Sequence, residues 1–251
     1  MTGVASTPLQ LLASLRNRRL DPQRQIAADD AMRHGDIEDY LEVGRSGLEI
    51  TLLGLITALA PLPRRILDLP CGHGRVLRWL AAAFPTARLF ACDLDRNGVE
   101  FCEQTFAADG TVSTEDLSRV TLPNDMDLAF CGSLLTHLPK HAWSACIGLF
   151  ERAITPGGLL VATTHGRWVR QRMLEGASYD LPPLAQQRAV TDFDQTGFGY
   201  ADYARAPGYG ISLCSPSWLL HEVQQRGTWE IIAFHERAWA QHQDVLVLRR
   251  L

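Results

Sequence analysis

The stretch "RILDLPCGHGRVLRWL", residues 65–80, decides the fold. A short apolar run ends on Asp68, and Pro70, Cys71, Gly72, His73 and Gly74 follow before an amphipathic helical pattern begins. That is the grammar of a strand, a cramped loop and a helix. Two glycines in three positions let a backbone approach a ligand closely, and the helix behind them offers unpaired N–H groups. In a parallel α/β sheet the ligand site lies beyond the carboxyl ends of the strands, at the switch point beside the first strand. The loop after Asp68 is therefore the candidate site.

The same grammar continues outward. "RILDL" reads as a strand, "RVLRWLAAAF" as a helix, "ARLFACD" as a strand and "NGVEFCEQTF" as a helix. "GTVS" is a weak strand, "MDLAFC" a strong one, "HAWSACIGLFERAI" a helix, and "LLVATT" a strand opened by the turn "TPGG". Strands alternating with helices of this length predict βαβ units and a parallel sheet covered on both faces. Toward the C-terminus "SPSWLLHEVQQR" is a helix, and "WEIIAFHE" and "QDVLVLRR" are strands too close together to pair other than antiparallel.

Upstream, residues 8–60 carry helical patterns only. Pro8 opens a first helix, "DPQRQIAADDAMRH" a second with Asp21 as N-cap and Pro22 behind it, and "DIEDYLEVGRSGLEITLLGLITAL" a third. Residues 166–213 are dense in Gly, Tyr, Asp and Pro, with one helix expected around "RWVRQRMLE". The expected organisation is a helical lid (1–60), a binding core (61–165), a cap (166–213) and a closing helix with two strands (214–251). The fold class is a Rossmann-like three-layer α/β sandwich. Its seven-stranded, mostly parallel sheet has order 3-2-1-4-5-7-6 with the last strand antiparallel.

Composition narrows the function. The chain has 251 residues, a formal net charge of −4 and 46% hydrophobic residues. The mild acidity argues against nucleic acid or an anionic membrane as the principal partner. The longest apolar stretch, "LEITLLGLITALA", is too short for a bilayer span. The start "MTGVASTPLQ" lacks a charged n-region followed by an apolar core, so no signal peptide is expected. The six cysteines form no C-x-x-C pair and no ligand spacing with histidine. A cytoplasmic protein without a structural metal is expected, and the oligomeric state is not legible.

Asp93 ends the second strand about 25 positions after Asp68, where an acid suits a ribose diol. The third glycine of a dinucleotide fingerprint is missing, because Leu77 stands at its position. Asp68 at the strand end would repel a pyrophosphate and suits a cationic ligand. These features together resemble the seven-stranded, class I S-adenosylmethionine-dependent methyltransferases. Asp68–Gly74 is similar to their first motif in a variant with proline for the first glycine. "DMDLAFCGSLLTHLP" is similar to the fourth-strand motif, and "ITPGGLLVATTHG" to the turn into strand five.

The resemblance implies S-adenosyl-L-methionine as cofactor and assigns residues. Asp68, Pro70, Cys71, Gly72 and Gly74 would pass under the methionine part, with Asp68 near its ammonium group. Asp93 would take the ribose hydroxyls, Leu94 would lie against the adenine, and Ser113 or Thr114 would border it. Cys131, Gly132 and Ser133 would lie beside the sulfonium. In "YLEVGRSG", Tyr40 and Arg45 are candidates for the cofactor's carboxylate. Cys71 otherwise reads as a packing residue and His73 as a surface loop residue.

His137 and His165 follow strands four and five at the ligand end and are the candidate catalytic bases, each with an alternative as a structural histidine. His242 could close the site from the side or stabilise a turn. Trp168, Tyr200, Tyr203 and Tyr209, with Phe198, are candidates for an acceptor pocket, part of the cluster being cap core. No Asn/Asp-Pro-Pro-aromatic motif follows strand four, and no carboxylate cluster suits metal-dependent methylation. The expected activity is O- or N-methylation of a small-molecule or sugar-containing acceptor. A non-catalytic adenosyl-cofactor binder and a nicotinamide-dependent oxidoreductase are the alternatives, the latter opposed by the missing third glycine.

Overall fold

The computed structural model describes residues 7–33 and 35–251. The opening residues on which the signal-peptide reading rests lie mostly outside that range. Helix α1 (Pro8–Arg16) starts where the Thr7 side chain accepts from Gln10 N–H and Pro8 supplies the first helical position. Helix α2 (Ile37–Thr57) is capped by Asp36. It lays Leu48, Leu52 and Leu55 on the sheet against Val161 and Val247.

The expected second helix, over residues 21–34, does not form in its described part, and its last residue, His34, lies outside the described residues. The cause is tertiary. Buried Arg78 donates to the carbonyls of Gln23 and Gln25, both at 2.8 Å, and also to those of Gly74 and His73. The segment is thereby held as a strap against the loop after the first strand, and local helix propensity is overridden.

The core then alternates as the sequence predicts: β1 (Arg65–Asp68), α3 (Leu77–Ala83), β2 (Arg88–Asp93), α4 (Arg96–Phe106), β3 (Asp109–Val112), β4 (Met126–Cys131), α5 (Lys140–Ala153) and β5 (Ile154–Thr164). After the cap come α8 (Pro216–Gln225), β8 (Trp229–Trp239) and β9 (Gln243–Arg250). The sheet runs β3-β2-β1-β4-β5-β9-β8. It is parallel from β3 to β5, and β9 is antiparallel to both neighbours. This is the expected 3-2-1-4-5-7-6 order once the cap strands are counted apart. Period-2 alternation sends Val161 and Val247 to the α2 side and Leu160 and Leu248 to the α5/α8 side, so both faces are covered.

The cap is more regular than its composition suggests. It holds α6 (Arg167–Leu174), α7 (Pro183–Thr196) and an antiparallel hairpin, β6 (Phe198–Tyr203) with β7 (Ala206–Cys214). Its small core contains Val169, Met173, Phe193, Ile211 and Leu213. Gly210 and Ser212 donate their N–H groups to the carbonyls of His137 and Thr136, at 3.1 and 2.8 Å. The hairpin is thus bonded to the turn after β4, and its tip hangs over the carboxyl ends of the strands.

Candidate active site

The loop after β1 explains its own composition. Gly72 has φ +48° and a Cβ there would meet nothing within 4 Å, so this position opens onto free space. Gly74, at φ +75°, answers to packing: a Cβ would stand 2.4 Å from the Phe106 ring. Asp93 holds the loop from the next strand. One of its carboxylate oxygens accepts from Gly72 N–H at 2.7 Å, and the other from Asp95 N–H at 2.9 Å.

Two adjoining cavities form one groove across the strand ends. The smaller, about 230 Å³, is lined among others by Asp30, Tyr40, Asp68, Gly72, Arg75 and Trp239. Asp68 is 1% exposed, and its Oδ2 is buried with no hydrogen-bond partner. Burial first, then the negative charge of Asp93, raises its pKa well above the ordinary carboxyl range. Arg75 has no hydrogen-bond or ion-pair partner among the described residues, and its guanidinium lies 5.9 Å from the Tyr40 ring and 5.8 Å from the Trp239 ring. Tyr40 itself donates to Asp30 at 2.6 Å, and burial with that bond pushes its hydroxyl pKa up. A carboxyl oxygen lacking a donor and a guanidinium lacking an acceptor thus share one small cavity. Together they suit a zwitterionic group.

The larger cavity, about 820 Å³, is lined by Leu69, Pro70, Asp93, Leu94, Ser113, Thr114, Glu115, Leu138 and the hairpin tip Arg205–Tyr209. Asp93, Pro70, Ser133 and Tyr209 line both cavities. Leu94, 56% exposed, lines this cavity and offers an apolar face to a flat ring. The size and lining of this half suit a nucleoside, with the acid of Asp93 at the junction.

His137 stands at the junction wall. Its Nδ1 lies 2.7 Å from the Gly210 carbonyl oxygen. A carbonyl only accepts, so Nδ1 carries the proton and Nε2 keeps the lone pair. Burial lowers its pKa, which keeps the ring neutral. Tyr209 stacks on it at 4.9 Å, and Tyr203 Oη lies 3.2 Å from Nδ1. His165 lies one layer deeper, edge-on to His137 at 6.4 Å and to His242 at 5.4 Å. It lines neither cavity. Burial, then the neighbouring His242 and His137, lowers its pKa well below the usual range.

The structure therefore gathers Tyr40, Asp68, Pro70, Cys71, Gly72, Asp93, Leu94, Ser113, Gly132, Ser133, His137 and Tyr209 around one groove. Gly74 and Cys131 support it from behind. Arg45 lies elsewhere, paired with Glu42 and Glu49 on the outer side of α2. Trp168 packs under Arg237 in the cap, 3.8 Å from the guanidinium, and Tyr200 bonds to Asp202; neither lines the groove. Phe198 packs on Trp143 and Trp218 in the core. His73 is buried, with Asp29 and Asp30 beside it, and corrects its reading as a surface residue. Sequence reasoning missed Arg75, although it directly follows the glycine loop, and missed Asp30 and the strap that carries it.

Residues 66–158 match the family described as a methyltransferase domain. The malonyl-[acyl-carrier protein] O-methyltransferase of Methylococcus capsulatus is 34% identical over 130 residues, which cover 50% of this chain and 44% of that enzyme. The chain thus spans less than half the length of the curated relative it matches. A TehB-like S-adenosylmethionine-dependent methyltransferase from Corynebacterium glutamicum superposes with a TM-score of 0.51 at 18% identity, covering 98% of this chain and 100% of that one. The 1,6-didemethyltoxoflavin-N1-methyltransferase of Burkholderia thailandensis, solved with its substrate and S-adenosylhomocysteine, superposes at 0.52 with 13% identity over 97% and 86%.

The fold is that of the class I, Rossmann-like methyltransferases. Residues 66–158 thus match a methyltransferase domain, and the buried Asp68 carboxyl oxygen and the open glycine loop suit S-adenosylmethionine as its cofactor. Among the described residues no helix is long and apolar enough to cross a membrane, and no three His, Cys, Asp or Glu side chains could hold a metal ion.

Proposed function

We propose that this chain transfers a methyl group from S-adenosylmethionine to an oxygen or nitrogen of a small organic acceptor, sugar-bearing or not. The observation that carries this reading is the pairing, in one cavity, of the orphaned Asp68 Oδ2 with the acceptor-free Arg75, with Asp93 at the junction to the larger cavity. Asp68 and Arg75 would hold the amino and carboxylate groups of the methionine part. Asp93 would accept from the ribose hydroxyls while keeping its bonds to the loop. Leu94, Ser113 and the hairpin tip would enclose the adenine. When bound, the cofactor supplies a methyl group activated on a sulfonium.

The protein's contribution is then alignment and exclusion of water, which such displacements chiefly need. Ser133 and Gly132 wall the groove between its two halves. His137 presents Nε2 as a neutral base that can take the acceptor's proton as the new bond forms. Tyr209 holds that ring by stacking, and the Gly210 carbonyl fixes its tautomer. His165 backs His137 and would act on turnover through it. The Methylococcus relative is named for O-methylation of a malonyl-[acyl-carrier protein] and the Burkholderia enzyme for N1-methylation of 1,6-didemethyltoxoflavin, which supports an oxygen or nitrogen acceptor here.

Calorimetric titration with S-adenosylhomocysteine, with NAD in parallel, tests this. The reading requires micromolar binding of the first and none of the second. NAD binding alone would return the chain to the dehydrogenase alternative. Tight S-adenosylhomocysteine binding without any methyl transfer across an acceptor panel would favour a non-catalytic binder.

A further inference from the structure

The turn that carries both Ser133 and His137 is held in part by Gln243, a residue outside the methyltransferase motifs. Ser133 sits at φ +62°, in the left-handed region that a side chain with a Cβ rarely adopts. Three hydrogen bonds close a ring around it. Ser133 N–H donates to Thr163 Oγ1 at 2.8 Å, the Thr163 hydroxyl donates to Gln243 Oε1 at 2.6 Å, and Gln243 Nε2 donates to Ser133 Oγ at 2.8 Å. Three sheet elements meet there: the end of β4, the end of β5 and the first residue of β9. Thr163 is fully buried.

We infer that Gln243 is a positioning residue: with Thr163 it clamps Ser133 in the left-handed conformation and so sets the groove wall and the turn leading to His137. Each member of the ring has its partner fixed by chemistry. Thr163 Oγ1 accepts and donates at once, which only a hydroxyl can do. Gln243 accepts on one amide atom and donates on the other, which neither Glu nor Leu can copy. The Ser133 carbonyl accepts from Thr136 Oγ1 at 2.7 Å, carrying the clamp forward into the turn. From the other side the β7 backbone bonds to Thr136 and His137. The turn is thus gripped between the hairpin and the Gln243 ring. Strained residues of this kind persist when their surroundings over-determine them, and they gather at ligand sites.

This inference rests on the methyltransferase reading for its effect on binding, so its test has two readouts. The first is calorimetric titration of S-adenosylhomocysteine into the full chain. Gln243→Leu is expected to bind about 10-fold more weakly. Adding Ser133→Gly, which needs no clamp to adopt a positive φ, should restore affinity to within about threefold of Ser133→Gly alone. Thr163→Ser keeps the hydroxyl and should bind as the wild type does. The second readout is amide hydrogen exchange of residues 133–137 in the free protein. It should quicken in Gln243→Leu and slow again in the double variant. Wild-type affinity and exchange in Gln243→Leu would overturn the inference, as would a loss that Ser133→Gly does not rescue. If the wild type fails to bind S-adenosylhomocysteine, the functional reading falls, and the exchange pattern still decides the clamp.

Discussion

The two walls of the groove are built in opposite ways. The glycine-loop wall comes from near-consecutive residues, Asp68 to Arg75 and Asp93 to Asp95, on two adjacent parallel strands. The facing wall is assembled from distant pieces: the turn after β4, the hairpin tip near Tyr209, the strap near Asp30 and Trp239 at the end of β8. The first wall carries groups that have no protein partner, Asp68 Oδ2 and the Arg75 guanidinium, and the second carries aromatic rings and backbone bonds that satisfy one another. One half is therefore poised for a ligand, and the other is poised to shape what approaches it.

The largest effect should fall on the first wall. Asp93→Ala is expected to weaken S-adenosylhomocysteine binding by about 100-fold or more, since it removes charged hydrogen bonds and unties Gly72 together. Calorimetry checks it, and unchanged affinity would break the contrast between the walls. Arg75→Met should cost about 10–30-fold for S-adenosylhomocysteine. It should cost nothing for methylthioadenosine, which lacks the carboxylate, and an equal loss for both ligands would mean that Arg75 only supports the fold.

Asp68→Asn separates stability from binding. The folded-state pKa of Asp68 is raised, so the unfolded chain ionises first. Its penalty is absent below pH ~4 and grows as pH rises toward the folded value. Asn should raise Tm of the free protein by a few degrees at pH 7, roughly 1–2 kcal/mol, while weakening the cofactor. A gain that persists at pH 3.5 would contradict a charge-based cause. Asp244, pushed up to about 6 by burial and carrying an orphaned Oδ2, offers the same test away from the groove. The smallest effect belongs to the second wall. His137→Gln and His165→Phe should leave S-adenosylhomocysteine affinity within about threefold and show themselves only in turnover.

This contrast also explains what the sequence revealed. The strand order, the loop from Asp68 to Gly74 and Asp93 were legible because hydrophobic period, glycine spacing and a strand-end acid are local signals. The strap over residues 20–33 was illegible, since "DPQRQIAADD" looks helical and is overruled by distant partners, Arg78 some fifty positions away among them. The hairpin was hidden because glycines at 199, 208 and 210 dilute the alternation of β6 and β7. Arg75 and Arg45 illustrate the same limit. Both are arginines near a plausible site, and only the fold shows that one is already paired with Glu42 and Glu49 while the other waits for an acceptor. Gln243 had no signal at all, because its ring with Thr163 and Ser133 exists only once three strands have met.

The decisive measurement is a crystal structure of the protein with S-adenosylhomocysteine bound. The ligand's carboxylate is expected at Arg75, its ribose at Asp93 and its adenine between Leu94, Ser113 and the hairpin tip. A ligand lying in the reverse direction, or seated in the cleft between α5 and α8 near Trp143 and Leu219, would contradict it.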